Sequence, residues 1–428
     1  MRILREVSRW FSALRDEAAC RVDSIPLSKS NAWSLRDGFI RHRSNGFFTV
    51  AGLQWTSEDG AVAQQPFLDQ REIGTLGFLM RSHQGRRQLL VQGKAEPGNV
   101  GLVQLAPTCQ ATSSNARRLH GGTAPPFIDF FPEGDSALLY NAEQSEQGTR
   151  FLYKRNRNAL AVTAERIVPT STHQWLDVDS VLDLMHHDYI VNTDARSVLV
   201  CAPWERLVNR APFSRYRDGF GSELLMSSLS ASQDLVVDQV KARIVEQRAI
   251  TERPDVIPLD ALSAWHLDEN GVSPLQGSAL RVRQIRVRIN GREVPEWDQP
   301  IVDSATDGHV LLVCGRIGGV LHFLFRARAE AGLASGVELT PTAVVEPGHC
   351  YPTSEGPGTI VADVYQSDEG GRFFCDTNHY RIIDIGSAVE APPRHYWLTL
   401  SDIRLLLDES GWMTNESRSV LSLLLPWM

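Results

Sequence analysis

"HQWLDVDSVLDLMHHDYIVNTDARSVL", residues 173–199, returns 222 residues later as "HYWLTLSDIRLLLDESGWMTNESRSVL", residues 395–421. His, Trp and Leu open both stretches and Arg-Ser-Val-Leu closes both, with no gap between. Working towards the N-terminus, "QSEQGTRFLYKRNRN" (144–158) answers to "QSDEGGRFFCDTNHY" (366–380) at the same spacing of 222. "LAPT" (105–108) then matches "LTPT" (339–342), and "QQPFLDQREIG" (64–74) matches "DQPIVDSATDG" (298–308), both 234 apart. "IPLSKSNAW" (25–33) matches "IPLDALSAW" (257–265), 232 apart. Five colinear matches identify a tandem duplication. The spacing falls by twelve because the first copy carries an insertion between "APT" and "QSEQG" that contains "RRLHGG".

Each copy predicts an α+β unit with mixed or antiparallel sheets and flanking helices. Amphipathic patterns place an opening helix at about residues 3–19 and its counterpart at 223–247. Alternating and β-branched runs predict strands at "FFTVAGLQW", "TLGFLMRS" and "RQLLVQGKA" in the first copy, and at "ALRVRQIRVRI", "HVLLVCGRI" and "VLHFLFRARA" in the second. "QGR" and "IGG" mark hairpin turns. Asp177 is placed to cap a helix buried through Val178, Leu182 and Met185, and Ser401 to cap its counterpart. Pro203, Pro212 and Gly219 to Gly221 break the periodicity between copies, which divides the chain into units 1–215 and 216–428.

The 428 residues, 42% hydrophobic and 22% charged, have the composition of a soluble globular protein. A net charge of −8 argues against nucleic acid as main partner, and no apolar run is long enough for a membrane span. The six cysteines are scattered, which fits reduced thiols in a cytoplasm and predicts no metal site.

Between the copies the apolar positions persist and the polar ones change. Lys94 and Glu96 face Arg328 and Glu330, while Gln104 and Thr108 face Glu338 and Thr342. Gln110 becomes Val344 and Thr112 becomes Glu346, and the loop holding Ser113, Asn115, Arg117, Arg118 and His120 has no clear partner. Lys154, Arg155, Asn156, Arg157 and Asn158 face Asp376, Thr377, Asn378, His379 and Tyr380. The first copy therefore carries the candidate site. Its basic cluster of Arg150, Lys154, Arg155 and Arg157, with Arg117 and Arg118, suits a diphosphate, the alternative being a solvated strand face. His120, before Gly121 and Gly122, is a candidate for proton transfer or a structural loop histidine. No Walker loop, dinucleotide fingerprint, zinc-protease or serine-hydrolase motif is present.

"GLVQLAPTCQATSSNARRLHGG", "QSEQGTRFLYKRNRN" and the repeated "QP(F/I)(L/V)D" closely resemble the NDP-hexose 2,3-dehydratases of deoxysugar biosynthesis, over nearly the whole chain. One departure is Ala116, where that family commonly has an aromatic residue. The resemblance implies two Nudix-like modules per chain, a homodimer, and dTDP-4-keto-6-deoxy-D-glucose as substrate. It implies a base that removes the C3 proton, donors for the charge on O4, and an acid for the departing C2 hydroxyl. The ketone is the electron sink, so no cofactor is expected. His120 or Glu146 is the candidate base, Lys94 or Asn115 the partner of O4, and Arg155 and Arg157 the diphosphate ligands. Gln104, Thr108, Gln110, Thr112, Ser113, Arg117, Gln144, Lys154, Asn156 and Asn158 complete the expected binding set. Trp297, Arg328 and Glu338 are expected around a non-catalytic pocket in the second copy. The product, an unstable enol, implies a 3-ketoreductase as functional partner. A non-catalytic nucleotide-sugar binding protein and a related 4-keto-sugar lyase or epimerase are the alternatives.

Overall fold

The computed structural model describes residues 2–113, 123–132, 138–216, 219–230, 234–276, 280–292, 294–349 and 358–428. Four sheets form two matching pairs. The larger sheet of the first half runs Tyr140–Ser145, Arg155–Val162, Gly74–His83, Arg86–Ala95, His173–Asp177, with Val103–Ala106 and Cys109–Ala111 added alongside. Its counterpart runs Thr359–Ser367, Thr377–Ser387, Gly308–Ile317, Val320–Ala329, His395–Leu398 in the same order. In each, one central pair is parallel: Arg155–Val162 with Gly74–His83, and Thr377–Ser387 with Gly308–Ile317. The architecture is mixed α+β in two similar halves.

The halves do not stand apart, because each lends the other a strand. Arg21–Ser24 pairs antiparallel with Leu280–Arg288 in the second half's smaller sheet. Asp255–Ile257 pairs with Thr49–Thr56 in the first half's. A second exchange follows the larger sheets. At the turns, Gly332 N donates to Gly148 O at 2.8 Å, and Gly98 N donates to Gly370 O at 2.8 Å. These approaches exclude side chains: a Cβ on Gly98 would lie 1.7 Å from Phe373 O, and one on Gly332 would lie 1.9 Å from Phe151 O. Segments 145–154 and 367–376 thus cross into opposite halves.

The core is continuous across both halves, joining Phe78, Leu89 and Val198 to Phe323, Leu339 and Val420. At its centre the helices Thr193–Cys201 and Asn415–Leu421 carry the fully buried Arg196 and Arg418. Arg196 donates to Ser422 Oγ at 2.9 Å and Arg418 to Ser197 Oγ at 2.8 Å, which satisfies two charges that burial would otherwise penalise.

The structure corrects three local expectations. The second copy opens with two helices, Gly219–Leu229 and Asp234–Ile250, rather than one. Thr399, not Ser401, caps Leu400–Leu407, in a capping box with Asp402. Asp177 sits at the N-cap position of Val178–Asp183 without a side-chain cap bond, its carboxylate being held by Arg86 at 2.9 Å and Gln88 at 3.0 Å. Among the described residues no helix is long and apolar enough to cross a membrane.

Candidate active site

The strand exchange assembles a cavity of about 210 Å³ from both halves. The first half contributes Lys94, Glu96, Gln110, Thr112, Glu146, Lys154, Asn156 and Asp194. The second contributes Arg292, Trp297, Gln299, Glu369 and Arg372. Through Arg292, Trp297, Gln299 and Arg372 the cavity adjoins a larger cleft of about 950 Å³ lined by Trp33, His42, Phe47, Phe48 and Thr123 to Pro126.

Each polar group is fixed by its element. Lys94 ends the strand Arg86–Ala95, and Glu96 follows at the turn. Lys94 Nζ and Arg292 Nη2 both lie 3.0 Å from the Glu96 carboxylate. Burial pushes Glu96 up, but the two cations outweigh it and hold the carboxyl down at about 2. Gln110, on Cys109–Ala111, accepts from Asn192 Nδ2 at 3.2 Å, while Asn192 Oδ1 caps Thr193–Cys201 through Ala195 N. That helix presents Asp194 from its first turn. Glu146 accepts from Asn156 Nδ2 at 2.7 Å on one oxygen and from Asn415 Nδ2 at 3.1 Å on the other. Burial raises the Glu146 carboxyl against the pull of Arg418, Asn156 and Lys154. Burial together with Glu146 and Glu369 raises Asp194 well above the ordinary range. Lys154 donates to Glu72 O and is pushed down by burial.

Arg372 marks the junction of cavity and cleft. Its Nε donates to Gln70 Oε1 at 2.9 Å and its guanidinium stacks 4.5 Å from the Phe48 ring centroid. Arg292 stacks 5.4 Å from Trp297, whose Nε1 donates to Gln299 Oε1 at 2.9 Å. Neither arginine was singled out in the sequence. Arg372 was legible, since it aligns with Arg150, but Arg292 aligns with Glu58 and gave no signal.

Of the expected residues, Lys94, Gln110, Thr112, Glu146, Lys154 and Asn156 meet in the cavity. Several others lie elsewhere, for identifiable reasons. Gln104 is buried and donates to Ser367 Oγ at 2.7 Å. Thr108 bridges strands, accepting from Leu79 N and donating to Leu90 O. Gln144 donates to Tyr140 Oη at 2.9 Å, and Asn158 to Ser197 Oγ at 2.7 Å. Arg157 is turned under the chain, donating to the carbonyls of Phe131 and Pro132. Arg155 is exposed and paired with Glu143 at 3.0 Å. Arg150 enters the opposite half, 2.6 Å from Glu346. Ser113 is half-buried and does not line the cavity. Asn115, Ala116, Arg117, Arg118 and His120 lie outside the described residues.

The equivalent space in the second half is only about 10 Å³. Glu346 stands where the first half has Thr112, Arg150 fills the space beside it, and Gln147 donates to Asp368 at 3.1 Å. Trp297, expected there, lines the first-half cavity instead. Arg328 lies 3.9 Å from Glu330, and Glu338 accepts from Ser145 and Ser335; neither lines the remnant. Among the described residues no group of three or more His, Cys, Asp or Glu is arranged to hold a metal ion.

The sequence model of the family described as NDP-hexose 2,3-dehydratase matches residues 4–202 and 239–424. The dTDP-4-dehydro-6-deoxy-alpha-D-glucopyranose 2,3-dehydratase of Saccharopolyspora spinosa is 31% identical over 434 residues, covering 96% of this chain and 89% of that protein. The protein of the same description from Amycolatopsis orientalis is 31% identical, covering 97% and 89%.

Proposed function

The chain belongs to the NDP-hexose 2,3-dehydratase family, and from that premise we propose that its first-half cavity removes water across C2–C3 of dTDP-4-keto-6-deoxy-D-glucose. The observation that carries the reading is the position of Arg292 and Arg372, which line both spaces. A nucleotide sugar has this division. Its diphosphate lies between the two guanidiniums, which are suited to bidentate phosphate contacts. The sugar enters the small polar cavity and the nucleoside the larger cleft, where Phe47 and Phe48 offer apolar faces.

Glu146 is then the base that takes the C3 proton. Its two amide donors hold the carboxylate in one orientation, and desolvation raises its basicity above that of an ordinary carboxylate. Lys94, held 3.0 Å from Glu96, serves the developing charge on O4. The C2 hydroxyl leaves as water, and the enol product tautomerises to a 3,4-diketo sugar. A 3-ketoreductase consumes that product, and the chain acts as a homodimer in the cytoplasm of a deoxysugar-producing cell. Each repeat, 1–215 and 216–428, is a Nudix-like module; the support is the mixed sheet with its central parallel pair, flanked by helices.

Mass spectrometry of the protein incubated with dTDP-4-keto-6-deoxy-D-glucose tests the function. Free dTDP and degraded sugar without a 3-ketoreductase, and a dTDP-2,6-dideoxy-4-keto sugar with the reductase and NADPH, are the expected products. An isomer of unchanged mass would mean epimerisation. Intact substrate in both tubes would mean a binding protein.

A further inference from the structure

Four carboxyls share the cavity wall, Glu96, Glu146, Asp194 and Glu369, and they are not held alike. Glu146 receives an amide N–H on each oxygen, a pattern that suits an ionised carboxylate. Glu369 differs. Its Oε1 accepts from Gly371 N at 3.1 Å and from Gln110 Nε2 at 3.4 Å. Its Oε2 has no hydrogen-bond partner among the described residues. Both donors fall on Oε1, which leaves Oε2 as the oxygen free to carry and hand on a proton, whereas Glu146 has both oxygens engaged. The approach is built in, since a Cβ on residue 371 would lie 2.6 Å from Oε1.

The pseudo-symmetry adds a contrast. Glu369 reaches the first half's cavity on the exchanged segment 367–376, and its counterpart on 145–154 is Gln147. Gln147 points into the closed remnant and donates to Asp368. The segment that enters the open cavity thus carries an acid, and the one that enters the closed cavity carries an amide.

We propose that Glu369, supplied by the second repeat, is the proton donor to the departing C2 hydroxyl in the first repeat's site. The assignment rests on the dehydratase reading above. Glu146 removes the C3 proton, and the C–H electron pair forms the C3–C4 double bond of an enolate with charge on O4. The enolate collapses to restore the C4 ketone, the pair moves to form the C2–C3 double bond, and the C2–O bond breaks. The hydroxyl takes the Glu369 proton and leaves as water. The proton on Glu146 returns to Glu369 before the next turnover, so no further reactant is needed. Burial and the nearby Glu96 raise the Glu369 carboxyl, against Arg372, Lys94 and the Gly371 N–H, the direction a proton donor needs.

Glu369→Gln keeps the shape and the acceptor at Oε1 and removes the proton. In D2O with dTDP-4-keto-6-deoxy-D-glucose, wild-type enzyme dehydrates its substrate. The variant is expected to lose dehydration by about 100-fold or more, yet to wash deuterium into C3 of recovered substrate. Unchanged dTDP affinity and thermal midpoint establish that it is folded. Glu369→Asp, which restores the acid, should recover part of the dehydration. Dehydration by E369Q within about threefold of wild type, well short of a general acid's contribution, would overturn the assignment. So would loss of C3 exchange together with dehydration. Wild-type protein that neither exchanges nor dehydrates would sink the functional reading itself, and this assignment with it.

Discussion

Arg150 of the first repeat and Glu346 of the second meet at 2.6 Å inside the remnant cavity. Both are largely buried, and Asp368 and Asp376 lie close enough to Arg150 to raise its affinity for its proton. Arg150 is therefore the counter-charge of an acidic pocket. Removing one partner of a buried pair typically destabilises by about 3–5 kcal/mol, because the other is left uncompensated. Arg150→Met should lower stability by that order in urea unfolding, and Arg150→Met with Glu346→Gln by less. Equal losses in the two variants would show that the pair is not the source of the effect.

Arg372, the equivalent of Arg150, faces the open cavity and has no carboxylate at ion-pair distance among the described residues. A phosphate bound there would complete it. Arg372→Ala should weaken dTDP binding by about 10- to 150-fold, the loss of one charge-assisted hydrogen bond at about 1.5–3 kcal/mol. Calorimetric titration reads this directly. An unchanged Kd would place the diphosphate elsewhere.

Glu146 separates chemistry from binding. Glu146→Gln retains hydrogen bonding at one oxygen and should lower kcat by about 100-fold or more, with dTDP affinity within a factor of about two. It should also abolish deuterium exchange at C3. Exchange that survives in this variant would move the base to another residue.

The duplication, the α+β class and most strands were legible because they rest on local pattern: the runs at 75–82 and 87–95 became Gly74–His83 and Arg86–Ala95 almost unchanged. The strand exchange was not legible, because pairing partners 261 to 267 residues apart, such as Val22 with Val287, leave no periodicity to read. That single omission explains the errors at the site. Arg155, Arg157 and Arg150 were grouped by proximity in sequence, yet alternate strand positions and the crossing segment send them to a surface, a buried turn and the opposite half. Comparing the repeats identified Gln110 and Lys154 because each changes charge or polarity in the copy, to Val344 and Asp376. Asp194 escaped notice since its counterpart Glu416 is also acidic, and Glu369 because it sits in the copy thought to be idle.

The exchanged strands predict that neither repeat folds alone. A fragment of residues 1–215 lacks Asp255–Ile257, leaving the edge of Thr49–Thr56 unpaired, and loses half of a continuous core. It should show no cooperative thermal transition by circular dichroism, whereas co-expressed 1–215 and 216–428 should associate. A cooperative transition in the isolated fragment would show that the exchange is dispensable.

Glu96 and Glu330 are equivalent residues held in opposite states, and pH separates them. Glu96, between Lys94 and Arg292, stays ionised down to about 2. Among the described residues Glu330 has only Arg328, at 3.9 Å, and its buried Oε2 has no hydrogen-bond partner; burial with Glu416 nearby pushes it up to about 8. The unfolded chain releases that proton near 4.5, the ordinary value, and the native chain only near 8. Between those limits the native state binds more protons, so stability falls as pH rises. Glu330→Gln should flatten the fall by up to about 1.4 kcal/mol per pH unit, the effect of one proton. Urea midpoints compared across that window for wild type and E330Q give the test. If the two slopes coincide, Glu330 is ionised in the native protein and the remnant pocket has another counter-charge.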